Sequence, residues 1–492
     1  MIKGHTKIEL TNVRTGERQV VEDDNLVTNI LDKYFELSPL TNNYPKFNPN
    51  PMVDTFFGGL LLFQNPIEEK VDNYDLPSDN PMIGNGIVNY SSLDVPGLGA
   101  YNKDESKFSI ENGIVTRKYV YDFGTSKGNG TISTVCLTNP FMGYVGAGNR
   151  SGKYEQNSLS TVPSFSSFNA NPYMNSFGEN GSVWSGDLEK IADSSMMCLT
   201  MELTKNCGYY VPIDAVFYNS GNPSIHFKAG FLEIYKAHFP FTKMNPMCPL
   251  FGYRTIYEKV KIQAPEVFQT INRPLVSVTC CADAIYFIVG ETYNSYYISN
   301  NATFHVWKLS NDFKTSEVFT LKNTTGKTIS IGGYNVFPFV DDMFWIGSNP
   351  IYKFNLKSPA NIVEIPFMGA AGERELYSLN AVGKSIFAYA KKTSSSYVAY
   401  RVETAENKIY VLNGNPRLVD SVDGGTFFNM LSDKDYILST RDYRYNTSIS
   451  LVRNPFTLST INNLPEPVTK TSDMTMKITY TITSKIEPDE EE

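Results

Sequence analysis

A series of short apolar segments in the second half of the sequence restricts the fold more than any other feature. Each is followed by a segment of alternating polarity and a polar turn, as in residues 284–290 (AIYFIVG) and 304–309 (FHVWKL). The units recur at steps of 58, 43 and 50 residues, counted from Ile285 to Met343, Ile386 and Tyr436. These steps are close to the roughly 40–50 residues of a propeller blade.

One small sheet cannot cover both of its faces, whereas sheets stacked around an axis cover each other. The repeats therefore predict a β-propeller-like domain of about four to six blades; an irregular β-sandwich with coincidental spacing is the alternative. Composition favours strands throughout, because aromatic residues reach 13% and charged residues only 19%. The predicted fold class is all-β.

The N-terminal part is predicted to be a β-sandwich-like domain over residues 1–264, with a long surface loop over residues 143–186. It includes one short amphipathic helix behind the polar residues 23–25. The apolar positions of this helix are Leu26, Val27, Ile30, Leu31, Tyr34 and Phe35. Two prolines, Pro265 and Pro274, bracket a predicted linker over residues 265–275.

The propeller-like domain is expected over residues 276–468. After it, residues 469–484 contain the clearest alternation in the chain, MTMKITYTIT. Because Pro465 and Pro467 separate this segment from the repeats, we expect the last strand to return to the N-terminal domain. Residues 485–492 form an acidic tail, which we interpret as solvated.

Several classes of partner are not expected. The net charge is −8 and no basic stretch interleaves with aromatic residues, so nucleic acid is not a predicted partner. No apolar segment is long enough to span a bilayer, and no leader peptide is evident, so membrane insertion is not expected. The six cysteines lack C-x-x-C spacing, which favours buried thiols and folding in a reducing cytoplasm.

The sequence predicts no catalytic residue, no metal site and no cofactor. Its four histidines are isolated, and the glycine-rich residues 143–149 lack the following lysine of a phosphate-binding loop. Residues 421–425 (SVDGG) and Phe428 resemble the Asp-box of sialidase-type propellers, although Phe427 stands where that motif has threonine. This turn supports a propeller and says little about glycosidase chemistry.

Surface tyrosines are the predicted binding residues. Tyr293, Tyr296 and Tyr297 lie in a blade loop beside Asn294 and Ser295. A tyrosine ring can stack on a sugar or a partner protein while its hydroxyl stays hydrated. These three residues are therefore the candidate contacts with a host-surface glycan or protein.

Four stretches of sequence resemble minor structural and tail proteins of tailed phages and prophages of Gram-positive bacteria. They are the opening GHTKIEL, TNVRTGE and NLVTN, the GGLLLF segment, the passage YDFGTSKGNGTISTVCLT with GYVGAGN, and the closing MKITYTIT. The resemblance implies an N-terminal particle-anchoring domain and a more variable distal domain, and it carries over no catalytic residues. It also implies assembly in the bacterial cytoplasm into a virion, in several copies.

The predicted function is therefore a non-enzymatic virion protein of the tail, baseplate or collar. It would bind other virion proteins through its N-terminal domain and present the propeller outward for host attachment. Two alternatives are a capsid decoration or head-fibre protein and a virion-associated glycan hydrolase.

Overall fold

The fold is described from a computed structural model of the 492-residue chain. The described residues are 2–30, 54, 56–89, 97–140, 142–143, 182–184, 196–202, 207–212, 216–219, 222–225, 230–238, 255–270, 277–281, 284–290, 297–330, 336–339, 343–347, 351–365, 376–382, 384–393, 396–411, 428–432, 436–443, 446–453 and 456–485.

Strands alternate with turns through the described residues. The first eight are β1 (Ile2–Asn12), β2 (Arg18–Val27), β3 (Gly59–Phe63), β4 (Met82–Ile87), β5 (Leu98–Tyr101), β6 (Lys107–Glu111), β7 (Ile114–Phe123) and β8 (Gly130–Thr138). The next seven are β9 (Ser182–Trp184), β10 (Met196–Glu202), β11 (Cys207–Pro212), β12 (Val216–Asn219), β13 (Asn222–Ile225), β14 (Phe231–His238) and β15 (Thr255–Gln263), followed by the short helix α1 (Glu266–Thr270).

Strands continue without another named helix to the end of the described residues. They are β16 (Ser277–Cys281), β17 (Ala284–Gly290), β18 (Tyr297–Ile298), β19 (Thr303–Ser310), β20 (Ser316–Lys322), β21 (Ile329–Ser330), β22 (Val336–Phe339), β23 (Met343–Gly347), β24 (Ile351–Asn355) and β25 (Ser358–Ile365). The last nine are β26 (Leu376–Val382), β27 (Ser385–Thr393), β28 (Ser396–Glu403), β29 (Lys408–Val411), β30 (Phe428–Ser432), β31 (Tyr436–Tyr443), β32 (Asn446–Arg453), β33 (Thr460–Lys470) and β34 (Met474–Lys485). The protein is nearly all β, as the composition predicted.

Nine strands from both ends of the chain form one closed sheet. Their order is β34-β1-β2-β33-β8-β3-β4-β5-β7, and β7 pairs with β34 again, while β6 extends the sheet beyond β7. Ile478 of β34 lies opposite Ile8 of β1 on one side and opposite Tyr121 of β7 on the other. Closure removes the free strand edges that an open sheet of this size would expose.

The inside of this closed sheet is the main apolar core. Successive side chains of a strand point to opposite faces, so alternate residues of β34 share the interior. These inward side chains are at most 4% exposed, and they are Met476, Ile478, Tyr480 and Ile482. They pack with Tyr119, Tyr121 and Phe123 of β7 and with the fully buried β3.

The prediction that the last strand returns to the N-terminal part of the chain is confirmed by this pairing. The predicted β-sandwich is replaced by a single closed sheet, because β34 is hydrogen-bonded along both of its sides. The residues of the predicted acidic tail after Lys485 lie outside the described part of the chain.

The helix predicted to begin at Leu26 does not begin there. Residues 18–27 form β2, which places Asn25 opposite Gly4 and Leu26 opposite Ile461. Pairing with β1 and β33 therefore overrides the helical spacing of the apolar residues. Ile30 is helical and buried, and the remaining predicted helix positions fall outside the described residues.

The described strands outside the closed sheet include five sheets of four strands each. Their orders are β10-β11-β14-β15, β16-β17-β19-β20, β22-β23-β24-β25, β26-β27-β28-β29 and β30-β31-β32-β9. The last sheet is completed by β9, which comes from the segment predicted to be a long surface loop. In the other four, the strands follow one another in chain order, with two interruptions. The ribbon β12-β13 lies between β11 and β14 of the first sheet, and β18, which pairs with β21 after the end of the second sheet, lies between β17 and β19.

In the second of these sheets, β17 is buried on both faces. Ile285, Phe287 and Val289 of β17 share one core with β14, β19 and α1. Tyr286 and Ile288, which point the other way, share a different core with β24 of the third sheet. The first strands of successive sheets also contact each other, from β10 to β16, β22, β26 and β30.

The predicted linker over residues 265–275 contains α1 and contributes to a core. Phe268 is 1% exposed, and its ring lies 5.8 Å from that of Trp307. This helix therefore packs against the second sheet. The described strands between Met196 and Gln263 form the first four-stranded sheet and the ribbon β12-β13, in the part of the chain that was predicted to belong to the N-terminal domain.

The described strands β9–β32 lie between β8 and β33 in the sequence, and β8 and β33 are paired neighbours in the closed sheet. The chain thus leaves the closed sheet after Thr138 and re-enters it at Thr460, where Thr460 Oγ1 accepts a hydrogen bond from the Leu137 amide at 2.8 Å. The repeated sheets are an insertion in the closed sheet.

We predict that Ile478→Ala destabilises the protein by about 2–5 kcal/mol, because the deleted atoms leave a cavity between β1 and β7. Thr479→Ala, one residue along on the outer face, is the matched control and should cost about 1 kcal/mol or less. Urea unfolding followed by circular dichroism measures both. Equal losses for the two variants would contradict the inward position of Ile478.

Candidate functional site

The three tyrosines predicted to bind a host surface lie in or beside β18. Tyr293 and Tyr296 fall outside the described residues. Tyr297 begins β18, where its backbone pairs with Ser330 of β21. The Asp-box-like residues 421–427 also fall outside the described part of the chain.

No cluster of metal-ligating side chains occurs among the described residues. His5 lies at the surface with its Nδ1 atom 2.9 Å from Asp24, and His305 contacts Thr320. Cys136 is a free, fully buried thiol whose pKa is raised by desolvation, as expected for an inert cysteine. In the described part of the chain, no helix has the length and apolar character needed to cross a bilayer.

The most elaborate polar arrangement joins the closed sheet to the fourth four-stranded sheet. It is formed by residues 73–82, which precede β4 and which we call the docking segment. At its centre, Ser78 is fully buried. Its amide donates to the Lys384 carbonyl at 3.1 Å, and its own carbonyl accepts from the Thr404 amide at 2.8 Å. Its Oγ atom accepts from the Ile386 amide at 3.0 Å.

Further bonds fix the rest of the docking segment. Ser385 Oγ donates to the Leu76 carbonyl at 2.8 Å. On the other side, the Leu76 amide donates to the Phe456 carbonyl at 3.2 Å, which ties the segment to the strand region entering β33. These polar groups are buried and hydrogen-bonded across the contact. Moving the closed sheet relative to the fourth four-stranded sheet would therefore leave buried polar groups unpaired.

A buried pair of opposite charges lies beneath the docking segment. Arg401 and Glu403 alternate on β28, so both point to the same face, and both side chains are 0% exposed. Their nearest charged atoms are 4.0 Å apart. Arg401 donates to the Pro77 carbonyl at 2.5 Å, and Glu403 Oε1 accepts from the Met82 amide at 3.3 Å.

Each of these charges is thus hydrogen-bonded to the backbone of the docking segment and lies at ion-pair distance from the other. The third sheet also reaches this site, since Lys353 of β24 donates to the Thr404 carbonyl at 3.2 Å. Desolvation lowers the pKa of Lys353, which disfavours its charged form. The geometry is that of a rigid structural joint, because its charged side chains bond to backbone groups and to one another.

This joint could not be predicted from the sequence. On β28 the polar residues Arg401 and Glu403 alternate with the apolar residues Tyr400 and Val402, a pattern typical of a strand with one solvated face. Both faces are buried at this end of β28. The segment that covers the polar face lies more than 300 residues earlier in the chain, between Asn73 and Met82.

No family model matches this chain, and no curated protein matches it. An uncharacterised protein from Listeria monocytogenes is 10% identical, over 56% of this chain and 82% of its own, with a TM-score of 0.22. An exo-β-1,3-galactanase from Phanerochaete chrysosporium is 9% identical, over 77% and 95%, with a TM-score of 0.25.

A post-proline cleaving enzyme from Rickettsia typhi is 10% identical, over 89% of this chain and 56% of its own, with a TM-score of 0.25. At identities and TM-scores as low as these, the similarities to solved structures carry no argument about fold or function. The chain's own residues and geometry therefore carry the functional argument.

We predict that Arg401→Leu destabilises the joint by about 3–5 kcal/mol, because Glu403 is left as an uncompensated buried charge. The double variant Arg401→Leu with Glu403→Leu should lose less than the sum of the two single losses. Lys408→Leu, at an exposed ion pair, is the control and should change stability by about 1 kcal/mol or less. Urea unfolding of Arg401→Leu, Glu403→Leu, the double variant and the control measures these losses of stability. Additive losses would contradict coupling between the two charges.

Proposed function

We propose that this chain is a non-enzymatic structural protein of a bacteriophage particle, located in the tail, baseplate or collar. Its closed sheet anchors it to other virion proteins, and its repeated sheets face outward. Attachment to a host-surface glycan or protein is the work of the outer surface.

The observation that carries this proposal is the insertion of all the described repeated sheets between β8 and β33. Since these two strands are neighbours, both connections leave the closed sheet at one place. The docking segment adds a third, buried attachment at Ser78. A unit held in this way moves with the closed sheet as one body, which suits a protein that must hold a binding surface in a fixed direction on a particle.

The phage-like passages support assigning the anchoring role to the closed sheet. The opening GHTKIEL lies in β1, GGLLLF overlaps β3, and MKITYTIT lies in β34. The passage beginning YDFG runs from β7 into β8. These passages from distant parts of the sequence therefore meet in a single sheet. The resemblance implies that members of that group use this part of the chain to bind the particle.

The repeated sheets are proposed to be the five blades of a propeller extending from β9 to β32. Stacking of the second sheet between two cores is what a blade requires, and contacts between the first strands of successive sheets are expected around a central axis. β9 precedes the first blade in the sequence, but it pairs with β32 and so completes the last blade. The ring would therefore be closed by main-chain hydrogen bonds. The first blade then begins with β10 at Met196, earlier than the sequence boundary at residue 276.

Immunogold labelling of intact particles tests the location. Antibodies against the purified chain, applied to virions from the phage or lysogen that encodes it, should label the tail, baseplate or collar. A virion of the same phage with the gene deleted is the control. Label on the capsid shell would favour a decoration protein and overturn the tail location, and absence of the chain from purified virions would overturn the virion proposal.

Binding is tested with host cell-wall polysaccharide. We expect the purified chain to be retained without releasing sugar. The triple variant Tyr293→Ala, Tyr296→Ala and Tyr297→Ala should bind at least about tenfold more weakly, as expected from the loss of roughly 1.5 kcal/mol of ring stacking. The same positions changed to Phe keep the rings and are the matched control. Released reducing ends would favour the glycan hydrolase, and unchanged binding by the Ala variant would exclude these tyrosines.

A further inference from the structure

The closed sheet has one strand at its margin, β6, with an edge turned away from the sheet. In the sheet order β6 is terminal, and among the described residues its paired neighbour is β7 alone. Lys107, Ile110 and Glu111 are exposed, and Ile110 is 58% exposed, the highest value among the large apolar side chains that the structure describes. Exposed edges of this kind are templates for pairing with another strand.

The hairpin between β6 and β7 determines which backbone groups face outward. Its turn residues Asn112 and Gly113 have φ values of 51° and 73°, as in a type I′ turn. The flanking residues Glu111 and Ile114 bond to each other in such a turn. Hydrogen-bonding direction alternates along an antiparallel strand. The N–H and C=O groups of Phe108 and Ile110 therefore point away from β7, toward the open edge.

We propose that β6 pairs antiparallel with β6 of a second copy of this chain, about a two-fold axis at Ser109. The backbone hydrogen bonds between the two β6 strands form only in registers that place Phe108 and Ile110 opposite residues whose backbone groups also point away from their own β7. The register that pairs all five residues places Phe108 opposite Ile110 of the second copy, where they exchange both backbone hydrogen bonds. Ser109 then faces Ser109, and Lys107 faces Glu111.

The sequence KFSIE is self-complementary in this register. On one face, Phe108 and Ile110 of the two copies form an apolar row, which covers the exposed Ile110. On the other face, Lys107 of each copy lies opposite Glu111 of the other copy, so two opposite-charge pairs form, one on each side of the axis. Within its own chain, Lys107 lies directly opposite Lys118 of β7. Glu111 from the second copy would offset this like-charge contact.

The second copy is favoured as the occupant because the same five residues supply both halves of the charge and apolar pairing. The interface is isologous, so it closes at two copies and does not extend into a fibre. It joins the two closed sheets into one continuous β-structure through β7, β6 and their equivalents. This inference does not depend on the virion function, because it concerns the purified chain in solution.

Sedimentation velocity over a concentration series tests the pairing. The unchanged chain should form dimers. Glu111→Lys places lysine opposite Lys107 at both symmetric positions and should weaken association by roughly tenfold. The exchanged variant Lys107→Glu with Glu111→Lys restores opposite charges and should restore association. A monomer at every concentration would overturn the proposal, as would a dimer that Glu111→Lys leaves unchanged.

A cross-link gives the register independently of affinity. Ser109 faces itself in a non-hydrogen-bonded pair, where Cα atoms lie about 4.5 Å apart, within the range of a disulfide. Ser109→Cys should therefore give a covalent dimer on mild oxidation, seen on a non-reducing gel. Thr116→Cys, opposite Ser109 but one strand further from the axis, is the matched control. Equal cross-linking of the two variants, or of the unchanged chain, would contradict the assigned axis.

Discussion

The structure depends on the position of the last strand between the first strand and β7. Along β34, eleven residues pair with β1 and ten pair with β7, so no residue between Met476 and Ser484 lacks a backbone neighbour on either side. Without β34, both β1 and β7 would expose an edge, and the inward row from Met476 to Ile482 would be missing from the core. The pairing of β34 with β1 and β7 therefore closes the sheet, completes its apolar core and joins the first and last described strands.

The sequence predicted the elements whose pattern agrees with their tertiary surroundings. β34 alternates cleanly because one face is buried along its whole length, and β17 is continuously apolar because both of its faces are covered. The predicted helix at Leu26 was wrong because Leu26 lies in a strand that pairs with residues hundreds of positions away, such as Ile461, and the local spacing of apolar residues does not reveal this pairing. β9 could not be predicted, since three residues carry no period and only β32 defines them as a strand.

Buried charge at the joint has a different consequence from buried apolar surface. Desolvating Arg401 and Glu403 costs free energy that their attraction offsets only when the geometry is right, so the pair adds little net stability by itself. Here each charge is hydrogen-bonded to the backbone of the docking segment, and a shifted docking position would break both of these hydrogen bonds. The orientation of the fourth sheet relative to the closed sheet is fixed by this requirement.

The insertion between β8 and β33 also sets the order in which the protein can mature. A ribosome delivers β1 to β8 first, yet these strands cannot complete their sheet until the final strand has been synthesised, after everything in between. Pairing Ile8 with Ile478 is among the least local contacts that this chain can make, and such contacts form late. A polypeptide that stops before β34 leaves the edges of β1 and β7 unpaired, so the closed sheet can form only after β34 has been synthesised.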